Sequence, residues 1–122
     1  MCFVYSKNAD LAESAWSTTH QGMSINANRF GGVMYFQVGG SIATTIPLPA
    51  GDANVTIATL PPEFRRPITI EAFTFWNWTH SVRLRFNTTG VVQLIEVRNI
   101  STGAVLTQLP AGGVSPRLFF SY

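Results

Sequence analysis

The chain has few charged residues and a single cysteine. Charged side chains make up 11% of its 122 residues, against about 25% in an average soluble domain. The formal net charge is only +2, and the basic residues form no cluster of the size that binding to nucleic-acid phosphates requires. Cys2 is the only cysteine, so neither an intramolecular disulfide nor a thiolate zinc site can form. Because the net charge is low and no basic cluster is present, we expect no nucleic-acid partner.

Long hydrophobic runs are also missing. Residues 1–15 lack the basic segment and apolar core of a secretory signal, and no run approaches the roughly 18 residues of a membrane span. The sequence therefore predicts no membrane insertion. Hydrophobic residues nevertheless make up 46% of the chain and aromatic residues 12%. This composition favours contact with further copies of the chain or with uncharged ligands.

Alternation of apolar and polar residues dominates from Trp16 onward. In residues 82–86, for example, Val82, Leu84 and Phe86 alternate with two arginines, which is typical of a strand with one buried face. Clusters of glycine, proline and asparagine interrupt these runs about every 8 to 12 residues. We predict one all-β domain over residues 16–122, an antiparallel β-sandwich or barrel of about eight or nine short strands. Residues 1–15 are predicted to be an N-terminal arm or the remnant of a stalk.

No catalytic motif is recognisable. His20 and His80 are the only histidines, and the six acidic residues form no metal-binding or catalytic spacing. Glu63 and Glu71 are the two carboxyl groups that glycoside cleavage would need, which keeps a polysaccharide depolymerase as an alternative. The simpler interpretations are that Glu63 is a polar residue at a corner of the chain and that Glu71 is a strand residue bonded to an arginine. We expect a non-enzymatic protein with no catalytic residue, metal site or cofactor.

Residues 76–80, Trp-Asn-Trp-Thr-His, interrupt the strand pattern and are predicted to form a loop tip. A saccharide site needs an aromatic plane together with amide, imidazole or guanidinium groups. The candidate saccharide contacts are therefore Trp76, Asn77, Trp78, His80 and Arg83. The alternative is that one tryptophan lies in the core and the other packs against a neighbouring subunit.

Several short motifs together resemble one known family. They are Trp16-Ser17, the strand and Gly-Gly of residues 33–40, the L-P-x-E-F-x-x-P corner at residues 60–67, the Trp-Asn-x-x-His tip at residues 76–80 and the N-T-T-G turn at residues 87–90. With these motifs, the chain from about Ala15 to Tyr122 resembles the C-terminal head domains of phage receptor-binding proteins, especially those of the lactococcal baseplate type.

The resemblance implies a fold, an assembly and a function. Members of the family form homotrimers with a β-barrel head of viral-knob type and bind cell-wall saccharides in clefts near subunit boundaries. It implies a head at the tip of a phage tail or baseplate in the virion, attached through its N-terminus to other virion tail proteins and binding a host cell-wall or surface glycan. By position it carries over Trp76, Asn77 and His80 as saccharide contacts.

One departure from the family pattern affects the site. The family tends to have an acidic residue shortly after the histidine, whereas Ser81, Val82 and Arg83 follow His80 here. A function of another class also remains open, namely a structural virion module, a decoration or tail-assembly protein that binds only other virion proteins.

Overall fold

Most of the predicted alternating segments are strands, arranged in two antiparallel sheets that pack face to face. The structure is a computed structural model that describes residues 14–48 and 55–121. Apart from short turns and one 3-10 helix, Pro62–Phe64, its regular elements are strands. Among the described residues, no helix has the length and apolarity that crossing a bilayer requires. The predicted all-β antiparallel sandwich is confirmed.

The first sheet contains five antiparallel strands. β2 lies between β1 and β3, and both β10 and β11 pair with the other edge of β3. The bounds are β1 Ser14–His20, β2 Met23–Phe30, β3 Val33–Ile42, β10 Gly112–Gly113 and β11 Arg117–Ser121.

The second sheet contains four antiparallel strands in the spatial order β5-β8-β7-β6. A separate pair of two-residue strands, β4 and β9, lies outside both sheets. The bounds are β4 Ile46–Pro47, β5 Val55–Thr59, β6 Ile70–Phe75, β7 His80–Phe86, β8 Val91–Asn99 and β9 Gln108–Leu109.

One apolar core fills the space between the two sheets. Alternate residues of β2, β3, β7 and β8 are buried and belong to a single cluster. Within it the Phe36 and Phe86 rings, one from each sheet, meet edge to face with their centroids 5.0 Å apart. Burial of each large apolar side chain stabilises the fold by about 1.5–3 kcal/mol. Because alternate residues of these strands are buried in the core, the residues between them face outward.

The strand boundaries differ from the predicted ones at a few points. β1 begins at Ser14, so this strand includes the last two residues that the sequence assigns to the arm; the rest of that arm lies outside the described residues. Residues 14–48 and 55–121 contain eleven strands, more than the eight or nine predicted. The additional ones are two residues long, too short to leave a periodic pattern, and β4 includes Pro47, which lacks the N–H that a longer ladder would use.

The two sides of the sandwich are closed in different ways. On one side the edge strands β1 and β5 contact each other. On the other side β6 and β11 are the edge strands, and among the described residues no ladder joins them. Two hydrogen bonds link this side: Arg66 Nη1 donates to the Ser121 carbonyl, and the Ser115 N–H donates to the Trp76 carbonyl at 3.0 Å. We call this the open side of the sandwich.

Gly90 ends the turn between β7 and β8, as the N-T-T-G motif predicts. Asn87 Oδ1 accepts hydrogen bonds from the N–H groups of Thr89 and Val91 at 3.1 and 3.0 Å. Gly90 has a φ of +91°, and a Cβ added there would lie 2.4 Å from the Leu60 carbonyl oxygen. Both the backbone conformation and the close approach therefore require glycine.

The Gly90→Ala substitution is expected to lower the free energy of unfolding by more than about 1 kcal/mol, because it adds backbone strain and a clash with a main-chain oxygen. Urea denaturation measures the change. Gly32→Ala is the matched control, since φ there lies outside the left-handed region and no atom lies within 4 Å of an added Cβ. Equal urea midpoints for the two variants would contradict this account of the turn.

Candidate functional site

A tight turn joins β6 to β7 and separates the two tryptophans of the predicted tip. The His80 carbonyl accepts hydrogen bonds from the N–H groups of Trp76 and Asn77, at 2.8 and 3.3 Å, so the chain reverses within residues 77–79. Trp76, before the turn, is 0% exposed, whereas Trp78, at its apex, is 98% exposed. On a straight strand, residues two apart would share a face. The turn instead buries one indole and presents the other to solvent.

The side chain of Asn77 holds this turn together. Its Oδ1 accepts hydrogen bonds from the Thr79 N–H at 2.9 Å, the Thr79 hydroxyl at 3.0 Å and the His80 N–H at 2.9 Å. The Nδ1 of His80 lies 3.1 Å from the same oxygen and 2.8 Å from the Thr79 hydroxyl. An asparagine that binds the backbone two and three residues ahead stabilises a turn locally. The exposed indole therefore stands on an internally bonded support.

A groove of about 430 Å³ lies beside the tip on the open side of the sandwich. Its lining comes from the end of β6, the tip, the residue after β8 and the chain just before and at the start of β11. Its lining is mostly apolar, with a few polar groups: Thr74, Phe75, Asn77, Trp78, Ile100, Ser115, Pro116 and Arg117. A concave, largely apolar surface with a few polar groups is typical of small-ligand sites.

Arg117 gives this groove a positive charge that no side chain in the described part of the chain neutralises. Of the seven arginine side chains, that of Arg117 alone has no hydrogen-bond or ion-pair partner among the described residues. The others bind backbone carbonyls or carboxylates of the chain; they are Arg29, Arg65, Arg66, Arg83, Arg85 and Arg98. An unpaired guanidinium offers its donors to oxygen atoms of a ligand.

The five predicted contacts do not form one surface. Asn77 and Trp78 line the groove, which keeps both as candidate contacts. Trp76 cannot contact a ligand from its fully buried position, so its assignment as a saccharide contact is corrected. His80 is half-buried and bonded into the turn, and Arg83 lies on the outer face of the second sheet. Neither His80 nor Arg83 is among the groove-lining residues.

Arg83 belongs to an ion-pair network centred on Glu71. Arg83 Nη1 lies 3.0 Å from one carboxylate oxygen, and Arg85 Nη2 lies 2.8 Å from the other. The pKa of Glu71 lies below its ordinary value, first because Arg85 donates a hydrogen bond to it and then because both arginines are positively charged, although partial desolvation opposes them. The predicted bond from Glu71 to an arginine is confirmed. A general acid needs the opposite shift, a raised pKa, so the network disfavours Glu71 as the acid of a depolymerase.

Sequence reasoning did not identify Arg117, Ser115 and Pro116 as site residues. They lie at the end of a glycine- and proline-rich stretch and just after it, far along the chain from the tip. The tertiary fold brings them to the groove, where the Ser115 N–H bonds to the Trp76 carbonyl. The available signal was weak, an arginine with no acidic residue near it in sequence. Among the described residues, no group of three or more His, Cys, Asp or Glu side chains is placed to hold a metal ion.

Comparison of the chain with protein-family models and with curated proteins gives no match. The resemblance to phage receptor-binding heads is carried by the short motifs at residues 16–17, 33–40, 60–67, 76–80 and 87–90.

Removal of the Asn77 side-chain oxygen is expected to loosen the tip. Loss of its bonds to Thr79 and His80 should cost about 1 kcal/mol or more, which corresponds to at least roughly fivefold faster amide exchange at those two residues in Asn77→Ala. Hydrogen exchange followed by NMR measures this. Asn87→Ala, which removes the equivalent bonds from the other turn, should leave exchange at Thr79 and His80 unchanged. Unchanged exchange in Asn77→Ala would show that its side chain does not stabilise the tip.

The Glu71 carboxyl is expected to titrate below the ordinary glutamate pKa of about 4.3. Because the folded pKa is lowered, the stabilising contribution of this carboxylate is complete above that value and is lost as the pH falls through the folded pKa. NMR titration of the Glu71 side-chain carbonyl measures the midpoint. Arg85→Gln should raise this midpoint, whereas Arg98→Gln should not, since Arg98 pairs with Glu96 instead. A Glu71 midpoint that Arg85→Gln leaves unchanged would contradict the assigned cause.

Proposed function

We propose that this chain is a non-enzymatic binding head that attaches a phage tail or baseplate to saccharides of the host cell surface. The observation that carries the proposal is the position of Trp78, whose indole is almost fully exposed at the edge of an apolar groove. Burial of a tryptophan side chain is strongly favourable, so a fully exposed indole on a bonded turn indicates a contact surface.

The groove has the groups that saccharide binding uses. A sugar ring has apolar C–H faces, which pack on an aromatic plane, and hydroxyl groups, which need donors and acceptors at its edges. The indole of Trp78 and the ring of Phe75 provide apolar surface, and the Ser115 hydroxyl and Arg117 guanidinium provide polar groups. The Asn77 carbonyl oxygen already accepts the bonds of the turn, so its amide nitrogen is the group left for a ligand.

A small apolar groove with few polar groups favours weak binding at each site. Several heads on one virion that engage the same cell surface would then supply avidity. The homotrimer that the resemblance implies would present several such grooves together.

A second candidate function, a structural virion module, is favoured by a different observation. Phe73 and Phe75 are 75% and 68% exposed on β6, outside the strand's contact with the core. Such side chains are expected where another protein covers them. In that case changes at the tip would impair particle assembly and leave cell attachment by assembled particles unaltered.

Trp78→Ala is expected to reduce saccharide binding by at least about tenfold, as loss of a central tryptophan does at other interfaces, while Trp78→Phe should retain part of it. The measurement uses purified protein on arrays of bacterial cell-wall saccharides and on intact bacterial cells, with sugar release assayed in parallel. Val105→Ala is the matched control, because Val105 is an exposed apolar residue that does not line the groove.

Three outcomes would count against the proposal. Failure of the wild-type protein to bind any saccharide or cell would remove its basis. Undiminished binding by a folded Trp78→Ala variant would place the site elsewhere. Release of reducing sugars by the wild-type protein would indicate a depolymerase instead.

A further inference from the structure

The outer face of the first sheet carries three side-chain amides and very little charge. Ser17, Asn26 and Gln37, from β1, β2 and β3, lie side by side in register, and β11 continues this row with Arg117. The next outward row, two residues along each strand, contains Ala15, Asn28, Tyr35 and Phe119. Arg117 is the one charged residue of the two rows. We call Asn26, Asn28 and Gln37 the amide patch.

The asparagines of the turns and those of the amide patch differ in their bonding. In the turns, the side-chain oxygen accepts a hydrogen bond from a backbone N–H group, as it does at Asn77, Asn87 and Asn99. The side chains of the amide patch have no hydrogen-bond partner in the part of the chain that the structure describes. Asparagine is also depleted in strands. Neither turn formation nor strand propensity therefore accounts for two asparagines on β2.

The amide patch is half-buried, which makes the lack of partners costly. Asn26, Asn28 and Gln37 are each partly shielded from solvent. Each amide has two N–H donors and one carbonyl acceptor, and removing such groups from water without a partner is unfavourable. A ligand that both donates and accepts hydrogen bonds would satisfy them. The hydroxyl groups of saccharides do both.

A groove and an aromatic plane accompany the amides. The groove has a volume of about 310 Å³, and its lining consists of Ala15, Trp16, Ser17, Asn26, Asn28 and Gln37. Beside it, Tyr35 lies in register with Asn28, and its ring stacks on that of Phe119 with a centroid distance of 4.7 Å and an angle of 27° between the planes. Phe119 is 72% exposed. An aromatic plane next to amides is the combination that packs against and bonds a sugar ring.

Arg117 connects the amide patch with the groove beside the tip. It lies in register with Gln37, and it also lines the groove beside Trp78. Because neighbouring strands lie about 4.8 Å apart, Ser17 is roughly 14 Å across the sheet from Arg117. This distance is larger than one sugar ring, so a ligand that reaches from the tip across the patch has to be a chain of several sugars.

We propose that the amide patch is a second saccharide-binding surface, and that one chain of uncharged sugars runs from the groove beside the tip, past Arg117, onto the first sheet. The inference rests on the proposed function, from which the class of ligand is taken. An apolar protein surface packed here would leave the amides without partners. A nucleic acid would need several cationic side chains, which the patch lacks. The chemistry of the patch therefore favours a neutral, hydroxyl-rich ligand.

The test measures affinity against the length of the ligand. The probes are fragments from a single sugar to a hexasaccharide, prepared by partial hydrolysis of the cell-wall polysaccharide of a bacterium to which the wild-type protein attaches. Binding is followed by NMR titration of labelled protein. The wild-type protein should bind the hexasaccharide at least about tenfold more tightly than the single sugar, because the longer ligand engages both surfaces. The side-chain NH₂ signals of the amide patch should shift when the hexasaccharide binds.

The double variant Asn26→Ala with Gln37→Ala should lower the affinity for the hexasaccharide by at least about fivefold, because hydrogen bonds on the sheet are lost. Its affinity for the single sugar should be unchanged, whereas Trp78→Ala should weaken the binding of every fragment. Ser24→Ala is the matched control, since Ser24 is an exposed residue on the same face of β2 and lines neither groove. Circular dichroism and urea denaturation establish that each variant is folded, and Gln37→Ala alone replaces a double variant that is not.

Different results would contradict the amide patch and the proposed function. A wild-type protein that attaches to no saccharide or cell would remove both. Binding through Trp78 that is no tighter for the hexasaccharide than for the single sugar would overturn the role of the patch alone, as would a folded double variant with wild-type affinities. A folded double variant whose molar mass by sedimentation velocity differs from that of the wild type would show that the patch contacts another copy of the chain, and would also overturn it.

Discussion

The two sheets bury one face each against a shared core, and this constraint determines most of the surface. Every second residue of the long strands is committed to the core, so its neighbours in sequence must face solvent, a ligand or another chain. Most of these neighbours are polar, as on β7, where the arginines alternate with Val82, Leu84 and Phe86. On β6 and β11 they include phenylalanines: Phe73 and Phe75 beside Glu71 on β6, and Phe119 between Arg117 and Ser121 on β11. The exposed aromatic residues are therefore a departure from a pattern that the rest of the sandwich follows.

The tip shows how a buried residue supports an exposed one. Trp76 is fully buried, and the loss of such a side chain typically costs about 3–5 kcal/mol. The backbone N–H of Trp76 donates to the His80 carbonyl, and the Trp76 carbonyl accepts a hydrogen bond from the Ser115 N–H. These two bonds connect the end of β6 to the start of β7 and to the chain before β11. The same anchor thus positions the turn that carries Trp78 and one wall of the groove. His80 and Asn77 complete the turn, so both contribute to the site largely through its geometry.

The groove and the exposed phenylalanines of β6 and β11 lie on the open side, where no ladder joins these two described strands. A ladder across this gap would occupy the edge of β6 and place Arg117 beside another strand. The gap instead leaves the groove open and leaves Arg117 without a partner among the described residues.

The sequence by itself determined the strand class, the sequence positions of the long strands and the turn at Gly90, because alternation and turn chemistry are local properties of the chain. It also located the aromatic tip. It was not sufficient to decide which indole is buried, because spacing along a strand does not report where a turn closes. Only the tertiary structure showed that Trp78 is exposed, that Glu71 binds both Arg83 and Arg85, and that Arg117 reaches the groove. The positions of these side chains depend on the pairing and packing of strands distant in sequence.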